Sequence, residues 1–391
     1  MDTRTVNFII FISVVLAIHG SVNFYIGLRG WQALPGNPYI RIPYLVIFIT
    51  CALSYMAGRV LERVTICAAS DLLIWIGSFW FGMMLYLFIG IVFCDLLRLA
   101  NWIAGVVPVP SGRYDRVKSI AAVSVTAAAC SAVFAGWLNA MNPRINTIAV
   151  DIPKRAGGRG SLDIALVTDL HLGTMIKNAR LQKMVDMVNV IRPDLILLCG
   201  DIVDEDLEPV IKNNLGQLLC TLRSRYGVFA VTGNHEYIGG VDNACRYLSK
   251  HGVRMLRDEA VLIDNCFNLV GREDASISQF TSGRRKPLDA VMGNVDRRLP
   301  VIMMDHQPLR LSAAEKNGVD LQVSGHTHHG QLWPASIITN IIYEVSYGYR
   351  RSGSTNYYVS CGFGTWGPPS RLGTRPEVVH IQLRFGKQIA Q

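Results

Sequence analysis

Four long apolar stretches lead the chain, Val6 to Leu28, Pro43 to Gly58, Leu72 to Cys94 and Ile120 to Leu138. A bilayer core takes about 20 helical residues, so three of them span outright and the second does so with its flanks. They predict four transmembrane helices and an integral, multi-pass membrane protein. The first is not a cleaved signal on this reading, because three more follow it and no small-residue cleavage site stands out. After Leu138 the text turns to Pro, Gly and basic residues, MNPRINTIAVDIPKRAGGRGS, which reads as a linker with one short strand, INTIAVDI. From Leu162 short apolar runs alternate with stretches of helical spacing. The runs are LDIALVTD, PDLILLCGD, YGVFAVTGN, VRMLRDEAVLI, FNLVGRED, LPVIMMDH and VDLQVSGH, and helical spacing covers Ala179 to Ile191 and Val241 to His251. That alternation predicts a layered α/β domain, with a mostly β tail from Ile341 to Arg384. The expected organisation is a helical membrane domain over 1–140, a linker over 141–161 and an α/β domain over 162–391.

Composition supports the membrane reading: mean hydropathy is +0.27, with only 17% charged residues in 391, too apolar for an average soluble protein. Basic residues fall on both sides of the spans, so the positive-inside rule leaves the orientation open. Of nine cysteines, Cys51, Cys67, Cys94 and Cys130 lie in or beside the spans; the other five contain no CxxC pair and do not form a disulfide framework. The net charge of +9 suits anionic lipid headgroups or phosphorylated substrates. No nucleic-acid motif or dense basic run is present, and no nucleic-acid partner is expected.

The candidate chemistry recurs at one kind of place. TDLHLG (Asp169, His171), CGDIVD (Asp201, Asp204), TGNHEY (Asn234, His235), MDHQP (His306) and SGHTHHG (His326, His328) each come at or just past the end of an apolar run. In open α/β sheets the strand ends carry loops onto a common edge, so pieces far apart in sequence converge there. Carboxylates and imidazoles without thiolates suit divalent Mn, Fe or Zn. Two such ions can clamp a phosphoryl group and offset charge on its leaving oxygen.

These motifs resemble the calcineurin-like metallophosphoesterase superfamily, whose pattern is D-x-H, G-D-x-x-D, G-N-H-[ED], a lone His and G-H-x-H. The resemblance covers about Leu162 to Leu383, and no expected ligand is missing. It implies a calcineurin-like four-layer α/β/β/α sandwich, preceded here by the α-helical membrane domain, with the site on one edge. It also implies that Asp169, His171 and His328 hold one divalent metal, that Asn234, His306 and His326 hold a second, and that Asp201 bridges them. His235 resembles the family's catalytic histidine and Asp204 the carboxylate that orients it. The ending GFGTWGPPSRLGTRPEVVHIQL resembles the membrane-associated branch of this superfamily. The expected function is therefore a membrane-bound, metal-dependent phosphodiesterase or phosphatase, with manganese among the candidate ions, acting on a phosphorylated small molecule or a lipid-linked substrate. The alternative is a non-catalytic membrane receptor or transport-associated protein that uses the domain for binding.

Gly325 is expected to make a tight turn that redirects His326 and His328, since alternate residues of an extended segment face opposite ways. His329 has no place in the family pattern and is a candidate for substrate contact. Arg284, Arg285 and Lys286 could attract phosphate or simply be a solvated loop. Trp333, Trp366 and Arg371 are expected in loops near the site, packing or anchoring at an interface. His19 is expected to be a helix-packing histidine, and Asp95 to reach the membrane interface.

Overall fold

A computed structural model describes residues 3–105 and 113–386. Two compact units emerge, Met1–Leu138 with Gly367–Ser370, and Asn139–Trp366 with Arg371–Gln391.

The first unit holds α1 (Thr3–Ala33), α2 (Pro38–Val64), α3 (Ala68–Ala104) and α4 (Tyr114–Ala140). Each carries a segment long and apolar enough to cross a membrane. The helices outrun the apolar cores that predicted them, α3 reaching 37 residues. Its polar flanks contain no helix breaker before Gly105, which caps it in the left-handed region at φ 62°. Helices α2 and α3 approach closely because Gly77 has no side chain: a Cβ there would lie 2.3 Å from the Tyr55 nitrogen. His19 packs between helices, its Nε2 3.0 Å from the Ala52 carbonyl. Asp95 pairs with Arg29 at 2.6 Å.

The second unit is built on two six-stranded mixed sheets. The first runs β1 (Arg144–Ile152), β12 (Glu377–Phe385), β2 (Ser161–Val167), β3 (Leu195–Cys199), β4 (Val228–Val231) and β5 (Val253–Met255). The second runs β10 (Gly348–Ser352), β11 (Thr355–Val359), β9 (Leu321–Ser324), β8 (Val301–Met304), β7 (Phe267–Gly271) and β6 (Glu259–Ile263). Strands β2 to β5 are parallel, as are β7, β8, β9 and β11. Period-two alternation sorts the side chains. Leu195, Leu197 and Cys199 join Leu269, Ile302, Met304 and Val323 between the sheets, while Ile196 and Leu198 face Leu181, Met184 and Leu248 on the helices outside. Val301 and Met303 pack outward against Leu311 and Ala314. The result is the four-layer α/β/β/α sandwich.

The segment expected as a linker does more than connect. Residues 144–152 form β1, in parallel register with β12 from Arg144↔Glu377 to Ile152↔Phe385, so the unit begins at Asn139 rather than Leu162. The run VRMLRDEAVLI divides into β5 and β6, which join different sheets. The break falls at Leu256 to Asp258, where Asp258 adopts φ 50° and the chain leaves one sheet for the other.

Candidate metal centre

All nine residues singled out by the motifs converge at the ends of β2, β3, β4, β8 and β9. Asp169 follows β2 and is fully buried; its Oδ1 accepts the His326 amide at 2.9 Å and lies 3.6 Å from His328 Nε2. The Nε2 atoms of His171 and His328 face each other at 3.1 Å. Asp201, beyond β3, accepts the His235 amide on Oδ1 at 2.9 Å and places Oδ2 3.1 Å from His306 Nε2. Asn234 Oδ1 lies 2.8 Å from His326 Nδ1. Asp204 stands between two rings, 3.4 Å from His171 Nδ1 and 3.2 Å from His235 Nδ1.

The backbone achieves this by unusual conformations. Asp169, His171, Asp201, His326, His328 and His329 all have φ between 45° and 70°, a region costing an L-residue about 1–2 kcal/mol. Redirection of His326 and His328 therefore lies in the histidines' own left-handed backbone. Gly325 serves closeness instead, since a Cβ there would lie 2.3 Å from Asp169 Oδ2. Gly233 is similar: its Cβ would lie 2.1 Å from Asp201 Oδ1.

Electrostatics divide the imidazoles. Burial opposes charge on His306, but the facing Asp201 carboxylate outweighs it and holds the pKa well above the usual value. Burial likewise opposes charge on His235, yet Asp201 and then Asp204 push it up to about 9. Burial, with His171 and Arg371 nearby, holds His328 well below the usual histidine range. For His326, burial and the His306 charge lower it. Asp201 is held well below the usual carboxylate range, its burial outweighed by His306, His235 and His171.

Divalent ions fit this donor set. Three groups of Asp and His atoms lie within 4.8 Å of one another: Asp169, His171 and His328; His171, Asp204 and His235; and Asp201, His306 and His326. Asp169 Oδ2 is buried and accepts no hydrogen bond. Two ring nitrogens 3.1 Å apart, as in His171 and His328, are stable only around a shared proton or cation. The set contains no thiolate, which suits a borderline or hard metal.

Residues 162–330 match the model of a family described as calcineurin-like phosphoesterase. A Helicobacter pylori (strain J99) protein described as an uncharacterized metallophosphoesterase is 33% identical over 57% of this chain and 60% of its own length. An Aquifex aeolicus protein of the same description is 34% identical over 62% of the chain and 92% of its length. The chain belongs to the calcineurin-like phosphoesterase family. A Bos taurus relative, named a transmembrane protein with metallophosphoesterase domain, is 31% identical over 70% of this chain and 65% of its own. The chain thus covers less than two thirds of the Helicobacter and cattle proteins, and similar family members occur with transmembrane segments.

Within this family member, several residues matter that motif spacing did not single out. Glu236, the acid of GNHE, is buried and accepts amides from Asp201, Ile202, Val203 and Gly233 at 2.7–3.1 Å. It clamps the two motif loops together. Its signal was its place in the motif. Arg371, expected in a loop near the site, is fully buried and donates to His328 Nδ1 at 3.0 Å and to the Gly364 carbonyl at 2.7 Å. Trp366 sits edge-on to His235, ring centroids 6.0 Å apart. Of the other candidates, His329 Nδ1 is 2.8 Å from Ser346 Oγ, and Arg285 pairs with buried Asp305 beside His306.

Proposed function

We propose that this chain is an integral, multi-pass membrane enzyme that hydrolyses a phosphate ester or pyrophosphate, a phosphodiesterase or phosphatase acting on a lipid or lipid-linked substrate. The observation that carries the hydrolytic reading is the convergence of Asp169, His171, Asp201, Asn234, His306, His326 and His328 beside a histidine–carboxylate pair outside that set. In this reading Asp169, His171 and His328 hold one metal, Asn234, His306 and His326 a second, and Asp201 both. Manganese is the first ion to supply. When bound, the ions would neutralise phosphoryl charge and raise the acidity of an attacking water. In the same reading His235, 3.2 Å from Asp204, would donate a proton to the leaving oxygen. Arg371 keeps the His328 ring in position through Nδ1. Four apolar helices support the lipid assignment, because an anchored chain meets lipid-borne phosphates at high local concentration.

The deciding experiment measures metal content and aryl phosphodiester turnover, with Mn supplied, for the detergent-purified chain, Asp201→Asn and His235→Ala. Expected are about two metals per chain in the wild type and metal loss with inactivity in Asp201→Asn. His235→Ala should keep its metal and lose about 10²–10⁴-fold in kcat. Undiminished turnover in both variants would refute the assignment.

A further inference from the structure

Immediately beyond the His328 loop the chain forms a helix, Ala335–Ile342, with no buried residue. Ile337, Ile338, Ile341 and Ile342 are exposed at 56, 60, 79 and 63%. Exposed Trp333 precedes it by two residues, and exposed Trp366 lies beside Gln331, four residues ahead of it. Trp366 is fixed there by two backbone bonds with the Gln331 side chain, both 3.0 Å. Elsewhere in this unit exposed large apolar side chains such as Val190, Ile211, Leu262 and Phe280 stand apart in sequence, as on ordinary surfaces. Here four isoleucines fall within six residues, and no charged residue lies in the helix.

We propose that this helix and its two tryptophans form a lipid-bilayer docking surface at the rim of the metal centre. Three features select lipid over a protein partner. Aliphatic residues flanked by exposed tryptophans are the pattern of an element lying in a membrane interface. Just past the helix, exposed Arg351 stands next to an Arg350–Glu344 ion pair of 3.4 Å, which leaves one net positive charge there for anionic headgroups. Only residues 141–143 separate α4 from β1, so the unit that carries this helix is joined to the apolar helices by a short connection. Trp366, held at Gln331 just ahead of the helix, also lies edge-on to His235, giving an acyl-linked phosphate an apolar route toward the site. This deepens the proposed function and rests on its lipid substrate for its purpose, while the docking itself can be tested without turnover.

The test reconstitutes the full chain in nanodiscs containing phosphatidylglycerol and a photoactivatable phospholipid, and maps adducts by mass spectrometry. The segment 333–342 should be labelled, while 186–192, with exposed Val190, stays unlabelled. Ile338→Asn with Ile341→Asn should lose the 333–342 adducts while keeping the wild-type metal content and melting temperature. If 333–342 is unlabelled but reacts with a water-soluble carbene, the surface is solvated and the proposal fails. If it is protected from both and cross-links to a second chain, it is a protein interface and the proposal equally fails. Soluble-ester turnover in the same nanodiscs separates the two readings: its absence would count against the proposed function and leave the labelling result standing.

Discussion

Left-handed backbone at Asp169, His171, Asp201, His326 and His328 shows how a site is assembled residue by residue against local preference. The strain persists because the close approaches around it leave no room to relax. Gly233→Ala tests this: the added Cβ would meet Asp201 Oδ1 at 2.1 Å, in backbone that alanine adopts readily. It should destabilise the unit by about 1–3 kcal/mol and lower metal content. Gly158→Ala, with nothing within 4 Å, should stay within about 0.5 kcal/mol. Urea unfolding and metal analysis would compare them. A second expectation concerns His235, whose pKa is pushed up to about 9. As a proton donor it works below that value, so turnover should fall as pH rises through it. Bound cations repel the imidazolium, which moves the fall to or below about 9. A pH–rate profile should show this limb in the wild type and lack it in His235→Ala.

Among elements, β12 does the most to join distant parts. It lies between β1 and β2, and its first residue, Glu377, is buried. Glu377 accepts Tyr358 of β11 and Ser360 on one oxygen, both at 3.1 Å, and Asn146 of β1 on the other at 3.1 Å. One carboxylate thus ties the two sheets together. Glu377→Ala leaves buried Tyr358 and Ser360 and half-buried Asn146 without this acceptor and should destabilise by about 1–3 kcal/mol. Glu377→Gln keeps an acceptor and should lose less, as a thermal melt of the two variants would show. Strand identity itself was legible: LDIALVTD, PDLILLCGD and VDLQVSGH form β2, β3 and β9 with their polar endings at the sheet edge. VRMLRDEAVLI was legible as apolar but not as two strands of different sheets, because alternation gives each residue a face without naming its neighbour.

For the whole molecule, the four apolar helices predict behaviour independent of catalysis. The chain should resist release from membranes by alkaline carbonate and dissolve only with detergent. Release by carbonate alone, followed by immunoblotting, would contradict the multi-pass reading. The family and the candidate site were legible at this scale because strand-end motifs are short and local. Glu236 and Arg371 were less so. Arg371 and Trp366 were expected near the site, but the specific contacts, a buried arginine reaching a histidine 43 positions away and Trp366 edge-on to His235, leave no local signature.

The sequence by itself determined which segments are apolar enough to cross a membrane, which runs become strands, and which carboxylates and imidazoles stand at their ends. Those properties follow from helix length, period-two alternation and residue chemistry, all of which are local. Only the tertiary structure decided that residues 144–152 complete the first sheet, that the histidines themselves bend the site loop, that Glu377 joins the sheets, and that isoleucines 337, 338, 341 and 342 remain exposed beside the metal centre. Each depends on which segments meet across long separations, as with Asp163 and His380, 217 positions apart. Closing a longer loop costs only slightly more entropy, so packing and hydrogen bonding select the partners rather than distance along the chain.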